Sequence, residues 1–413
     1  MLKLLPLQIV VIGGGAAGFF GAIACAEANP QCQVTLIEAS RQPLVKVLIS
    51  GGGRCNVTHA CFSAEELVLN YPRGGKALRG AFTRFQPLDT VAWFAAHGVK
   101  LKTEADGRMF PITDRSETIA ECLIKAVFTA GVKLSIGTPV ISVQRQNEGF
   151  EIIFKSGETQ YCDRLLLSTG SSVMGYKIAR ELGHHLERSV PSLFTFNIAD
   201  PAFRALAGIS VNPVNLRLSV GGKPVLQQTG PLLITHWGVS GPSVLKLSAW
   251  GARILHDTRY QGKLYINWLP NLSQEQVKQR LLAIKEEWGK KVIALHRGVD
   301  LPHRLWQYII SRINITAEDR WAEISNKTLN QLVPEICHGE YLISGKGAFK
   351  EEFVTCGGVS LKEVNFKTME SKLVPGLHFA GEILDIDGIT GGFNFQSAWT
   401  TAYLAGQSMG SIE

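Results

Sequence analysis

Residues 8–12 (QIVVI) form a β-branched run that stops at glycine. Ala16–Ala28 follows as a helical stretch of mostly small residues, and 33–38 (QVTLIE) is a second apolar run, ending in an acid. Apolar runs without alternation belong to strands covered on both faces, so a helix between two of them reads as a βαβ unit with short connections. Further strand-like segments fall at 132–136, 139–145, 150–155 and 161–167. Turn signals at Asn147–Gly149 and Ser156–Gly157 make the middle ones an antiparallel meander. From Pro191 the texture changes to short, spaced strands (FTFNI, VNLRLSV, KPVLQQTG, KLYINWL), the pattern of a small barrel or sandwich. Helical spacing begins at Ser273, where Ser273 and Gln276 make a capping box and Val277, Leu281, Ile284 and Trp288 keep one face apolar. Strand pattern resumes near Phe353, and the chain closes on LHFAGEILDIDGITGGFNFQSAWTTAYLAG. The expected organisation is one α/β domain from 1–190 and 345–413, split by an inserted β-barrel-like domain at 191–272 and a helical subdomain at 273–344.

With 45% hydrophobic and 19% charged residues the chain buries a sizeable core, which excludes disorder. Its net charge of +7 shows no block of like charges, so it implies mild attraction for anionic ligands such as nucleotides, and no nucleic-acid partner is expected. None of the eight cysteines is spaced C-x-x-C, which argues against a zinc ribbon or a dithiol redox centre, predicts no metal, and fits a reducing cytoplasm. Leu4–Ala26 contains Gln8 as its single polar residue and would pass for a membrane span, but five glycines interrupt it. No membrane partner is expected.

Those glycines carry chemistry. Gly13-x-Gly15-x-x-Gly18 follows a strand and opens a helix, and Glu38 ends the next strand twenty residues beyond Gly18. The first glycine makes the turn, the second lets a pyrophosphate reach the backbone, the third lets helix pack on strand, and the carboxylate takes ribose hydroxyls. An acid there favours the unphosphorylated ribose of NAD or FAD over NADP. A second cluster, Ser50-Gly51-Gly52-Gly53-Arg54-Cys55-Asn56, is not needed for NAD. It suits the longer FAD, with backbone amides lining its path, Arg54 near phosphate and Asn56 on the ribityl chain or flavin edge. In the tail, Gly381-Glu382 ends a strand and Gly391-Gly392-Phe393-Asn394 precedes a helix whose N-terminus suits the flavin edge where negative charge gathers on reduction. Ala17, Lys46, Val140, Thr169 and Gly170 complete the candidate cofactor-binding set.

IGGGAAG with Glu38, SGGGRCNVT, STGSS, LLITHWGVSGPSVLKLSA, TCGGVSL and AGEILDIDGITGGFNFQSAW together resemble the BaiN/RdsA family of bacterial flavoproteins, which includes aminoacetone-oxidase-like proteins. The motifs run in the family's order from residue 9 to 406. The resemblance implies a glutathione-reductase-like Rossmann FAD domain made of both chain ends, with the barrel and helices inserted. One departure is the short STGSSVMGYKIA, where the family often has a longer Gly- and Pro-containing loop. The implied activity is that of an FAD-dependent oxidoreductase, with NAD(P)H-linked reduction of an unsaturated small molecule through flavin N5 as the first reading. A small-amine oxidase making hydrogen peroxide is a second, and a non-catalytic flavin sensor or RNA-associated flavoprotein a third. No second strand–GxGxxG–helix unit is present to grip a nicotinamide, so NAD(P)H is expected to bind transiently. His236, in the THWGVSGP loop that the resemblance places near the flavin, is the candidate proton donor. Cys55 and Cys356 lack partner thiols in the sequence and are expected to pack rather than react.

Overall fold

A computed structural model describes residues 6–347 and 354–411. The chain divides into two compact units, Met1–Val190 with Val354–Glu413, and Pro191–Phe353. Phe353, where strand pattern was expected to resume, lies outside the described residues, and the strand that follows is Val354–Val359.

The first unit is built on a sheet whose five long-range strands, Leu377–Phe379, Arg164–Leu167, Gln8–Ile12, Gln33–Ile37 and Lys133–Ser135, run parallel in that spatial order. Two short antiparallel strands, Val364–Asn365 and Glu370–Ser371, extend one edge. The expected continuous burial is present: Ile9, Val10 and Val11 are at most 1% exposed. The expected meander is the sheet of Val140–Gln146, Gly149–Phe154 and Thr159–Cys162. Small residues in the first helix, Ala16–Ala28, have a packing reason. It lies against the closing helix Phe393–Gly410 so closely that a Cβ on Gly406 would come within 2.5 Å of the Gly21 carbonyl. The two chain ends thus form one core, and the closing strand Leu377–Phe379 pairs with Arg164–Leu167 in the same sheet.

In the second unit six strands close a barrel in the order Phe196–Ile198, Gly238–Ser240, Lys223–Thr235, Ser210–Val220, Gly262–Asn267 and Gly339–Lys346. The last strand corrects the expected boundary, since residues assigned by pattern to the helical piece and to the FAD domain pair with both Gly262–Asn267 and Phe196–Ile198 and seal the barrel. The helices Gln274–Glu287, His303–Ser311 and Asn326–His338 do not form a separate subdomain either. Their apolar residues Val277, Leu281, Trp306, Leu332 and Ile336 join Phe196, Leu216, Leu264 and Tyr341 of the barrel in one buried cluster. The Ser273 capping box is formed, with Gln276 N–H on Ser273 Oγ at 3.2 Å and Ser273 N–H on Gln276 Oε1 at 2.8 Å. Among the described residues no helix is long and apolar enough to cross a membrane, and no group of His, Cys, Asp and Glu is placed to hold a metal.

Candidate functional site

The glycine loop after the first strand makes the turn that its spacing predicts. At Gly13, φ is +113° and a Cβ would sit 2.5 Å from the Ser168 carbonyl, so a side chain is excluded twice, by backbone conformation and by the neighbouring strand end. Gly15 is different. It has an ordinary φ of −90°, and a Cβ there would meet nothing within 4 Å. Protein packing does not require glycine at that position, and the backbone there lies open. No side chain caps the helix that starts at Ala16, so its first N–H groups keep their hydrogen-bonding capacity for an anion at the positive end of the helix. Glu38 stands beside this opening, its Oε2 accepting from Gly14 N–H at 2.6 Å and its Oε1 from Ser40 N–H at 2.8 Å. Val140 opens a strand whose approach is strapped to the same place, with Thr138 N–H on the Glu38 carbonyl at 3.0 Å.

The remaining candidates are joined to this loop by a chain of contacts. Ser168 Oγ donates to the carbonyls of Ile12 and Gly13 at 3.0 and 3.1 Å, fixing Thr169 and Gly170 beside the loop. A Cβ on Gly381 would lie 2.8 Å from that of Ala17, and one on Gly170 would lie 3.6 Å from Glu382 Oε2. Glu382 in turn holds Lys46 Nζ at 2.5 Å and accepts from Thr355 N–H at 2.8 Å. The second glycine cluster ends a helical segment, Val45–Gly53, that breaks at Ser50, Gly51 and Gly52, where the backbone leaves helical geometry. Asn56 then ties it to the tail: with its amide oriented to suit both neighbours, Nδ2 donates to the Thr58 carbonyl at 3.0 Å and Oδ1 accepts from Gly392 N–H at 2.9 Å. The helix that follows, Phe393–Gly410, also lacks a side-chain cap. Asn394 braces the turn before it through two bonds of 2.9 Å to Gly388.

Two expectations are modified by partners that only folding brings. Arg54, expected beside phosphate, is bonded to Glu104 at 2.6 Å, lies 3.5 Å from Asp114, and covers the Phe110 ring with its guanidinium 4.0 Å from the centroid. Its charge is therefore compensated within the protein. Asn56, expected on ribityl or flavin, has a protein partner at each end of its amide, which ties it to the Gly392 turn. Cys55 is fully buried, and burial pushes its thiol up to about 12, so it stays protonated. All eight cysteines are free thiols. His236 belongs to the second unit, exposed at the turn between Lys223–Thr235 and Gly238–Ser240.

Sequence reasoning missed the supports. His59 Nδ1 lies 2.9 Å from the Gly391 carbonyl, and its ring stacks on Phe393 with centroids 4.6 Å apart. Gln396, with no exposure, accepts from the Thr58 and Thr90 hydroxyls at 2.6 and 2.9 Å and donates to Thr400 at 3.1 Å. Trp399 Nε1 donates to the Val57 carbonyl at 2.9 Å. Nothing local marks either His59 or Gln396, which is one of several polar residues in the closing helix.

The geometry fits a dinucleotide cofactor. Besides the open cradle at Gly15, the Thr169 hydroxyl is buried without a hydrogen-bond partner among the described residues. Burial raises the Tyr176 hydroxyl to about 12, against the opposing effect of its hydrogen bond with Ser189. Orphaned buried hydroxyls are rare in native proteins and stand out where a ligand completes a site.

A split Rossmann domain with this glycine loop, a carboxylate beside it and an uncapped tail helix is that of an FAD-dependent oxidoreductase. The chain belongs to the family described as HI0933-like protein Rossmann domain, whose profile matches residues 7–408. It is similar to the 3-dehydro-bile acid delta(4,6)-reductase of Clostridium scindens, 28% identical over 97% of this chain and 98% of that one. It is 31% identical to the ribosomal RNA dihydrouridine synthase of Haemophilus influenzae, again over 97% of this chain and 98% of the relative. Among solved structures, the 3-ketosteroid delta1-dehydrogenase of Sterolibacterium denitrificans shares the fold, with a TM-score of 0.54 at 12% identity over 98% of this chain and 100% of that one.

Proposed function

We propose that this protein is an NAD(P)H-linked reductase that adds hydrogen across a carbon–carbon double bond conjugated to a carbonyl. The observation that carries the reading is that two relatives matching the whole chain, with unrelated substrates, bear names for this same kind of reaction: a 3-oxo steroid delta(4,6)-reductase and an enzyme that makes dihydrouridine, the C5–C6-reduced form of uridine. The conserved demand is hydride delivery to a carbon made electrophilic by a carbonyl.

FAD, when bound, supplies hydride acceptance from the nicotinamide and donation from N5. The chain supplies the hold. Gly15 and the first amides of Ala16–Ala28 take the pyrophosphate, Glu38 the adenosine ribose, and Glu382 with Lys46 the polar middle of the cofactor. The amides opening Phe393–Gly410 favour the reduced, more negative ring, because donors already oriented by folding need no reorganisation as charge develops. With Cys55 protonated, no thiol relay is required.

The test is anaerobic mixing of the FAD-loaded protein with NADH, NADPH and aminoacetone separately, followed by a 3-oxo-4-ene steroid or a uridine-containing oligonucleotide. Bleaching of the flavin by a nicotinamide and its recovery on adding either alkene supports the reading. Bleaching by aminoacetone alone, with peroxide formed on admitting oxygen, replaces it with the amine-oxidase reading.

A further inference from the structure

The first turns of the closing helix Phe393–Gly410 enclose a polar knot inside the first unit. Gln396, Thr58, Thr90 and Thr400 are all 0% exposed. One bond at the edge fixes the direction of the others. The Thr400 hydroxyl donates to the Phe85 carbonyl at 2.9 Å, so toward Gln396 it can only accept; this places the carboxamide nitrogen on that side, at 3.1 Å, and turns Oε1 the other way. Oε1 then accepts from the Thr58 hydroxyl at 2.6 Å and from the Thr90 hydroxyl at 2.9 Å, nearer than the Gln86 carbonyl at 3.4 Å. One side chain thus joins three segments: the strand Thr58–His59, the helix Pro87–Ala96 and the closing helix itself. Burying an amide and three hydroxyls costs stability that apolar side chains of the same size would not, so what the knot contributes is a single arrangement of those segments.

The arrangement it fixes is the one between the second glycine cluster and the helix N-terminus. Thr58 lies two residues after Asn56, and its carbonyl accepts from Asn56 Nδ2 at 3.0 Å. A Cβ on Gly392 would come within 2.5 Å of that carbonyl, so strand and turn meet with no side chain between them. Gln396 stands one turn further along the helix, where its own N–H bonds to the Gly392 carbonyl at 3.0 Å. Its hold on Thr58 therefore sets the spacing between that strand and the Gly391–Gly392 turn. Just inside the turn, the N–H groups of Phe393, Asn394 and Phe395 have no acceptor among the described residues. The polar side chains around them go elsewhere. Asn394 bonds Gly388 with both ends of its amide, the Tyr71 hydroxyl donates to the Phe393 carbonyl at 2.6 Å, and His59 Nδ1 faces the Gly391 carbonyl at 2.9 Å.

We infer that Gln396 is a positioning residue that raises the reduction potential of the bound flavin: by holding Thr58 against the Gly391–Gly392 turn, it keeps the three open N–H groups aimed at the ring edge that gains negative charge on reduction. With no exposure, Gln396 touches no ligand itself and acts only through these amides. Donors fixed in place for a developing charge bind the reduced ring more tightly than the oxidised one, and the ratio of the two affinities sets the potential. A knot that only filled space would change the hold on both forms alike. The inference rests on the FAD reading and adds to it the residue that governs how readily the flavin takes up a hydride.

Three variants of the full-length protein test this: Gln396→Met, which keeps the length of the side chain and removes the amide; Thr90→Val, which keeps the shape and removes one hydroxyl; and Thr90→Ser, which keeps that hydroxyl. Each apoprotein is titrated with FAD, and the midpoint potential of the loaded protein is read against a reference dye during anaerobic reduction. Gln396→Met is expected to lose affinity for reduced relative to oxidised FAD by about 3- to 30-fold, which is ~15–45 mV of midpoint potential for a two-electron couple. Thr90→Val is expected to lower the potential by less, and Thr90→Ser to match the parent. Thermal midpoints of the apoproteins separate folding from tuning. Should Gln396→Met not fold, the two Thr90 variants carry the test, because Thr90 lies in the helix Pro87–Ala96, outside both glycine clusters. A parent-like potential in the folded variants that lack the amide or the hydroxyl overturns the inference and leaves the FAD reading standing, as does a shift in Thr90→Ser equal to that in Thr90→Val. A parent apoprotein that takes up no FAD overturns both.

Discussion

Replacing Gly15 by Ala separates what the cofactor needs from what the fold needs. The φ of −90° is open to any L-residue and the new Cβ would meet no protein atom within 4 Å. The folded protein gains no clash and loses only the few tenths of a kcal/mol by which alanine is the poorer helix N-cap, while the unfolded chain loses entropy, for a gain of at most about 0.4–1 kcal/mol. For the 250 residues of the first unit that is a rise of roughly 1–4 °C in the apoprotein's Tm. FAD binding moves the other way. The methyl group occupies the approach to the backbone and removes or lengthens one charge-assisted bond to pyrophosphate, about 1.5–3 kcal/mol, which is roughly 10- to 150-fold in Kd. Gly13→Ala is the control: φ of +113° and a 2.5 Å approach to the Ser168 carbonyl lower the Tm of the apoprotein itself. The assays are scanning calorimetry of apoprotein and titration of apoprotein with FAD. An unchanged FAD Kd in Gly15→Ala, or a fall of several degrees in its apoprotein Tm, would refute the assignment of that opening to pyrophosphate.

Other outcomes follow from buried groups and ribose contacts. His378 is 2% exposed and burial lowers its pKa from 6.5 to about 3; the unfolded chain then binds the extra proton first, so stability present above pH 6.5 is lost as pH falls toward 3. His378→Gln should flatten that acid limb in denaturant titrations taken between these pH values, and an unaltered limb would show another group is responsible. Glu38→Ala should weaken FAD retention by about 1–3 kcal/mol, seen as flavin loss on dilution, while also freeing the Gly14 and Ser40 amides. Cys55→Ser should leave anaerobic flavin reduction within about threefold, because a thiol held near 12 contributes little thiolate at pH 7; a hundredfold loss with FAD still bound would make it a reacting group.

Local pattern determined a good deal. The apolar run to Ile12, the glycine spacing through Gly18 and the acid at Glu38 specify a strand, a turn and a helix whose geometry depends on residues within one βαβ unit, so they were legible without neighbours. The same holds for the Ser273 capping box, a contact of three residues' span. Tertiary structure decided whatever depends on partners remote in the chain. Nothing near Arg54 announces that Glu104 and Asp114 will compensate its charge, or near Asn56 that Gly392, more than three hundred residues on, will occupy its amide. The strand Gly339–Lys346 follows a helix directly and reads by itself as either unit; only its pairing with Phe196–Ile198 makes it the seal of the barrel. Burial and hydrogen bonding reward contacts in space, and a sequence displays such contacts only where space and chain run together.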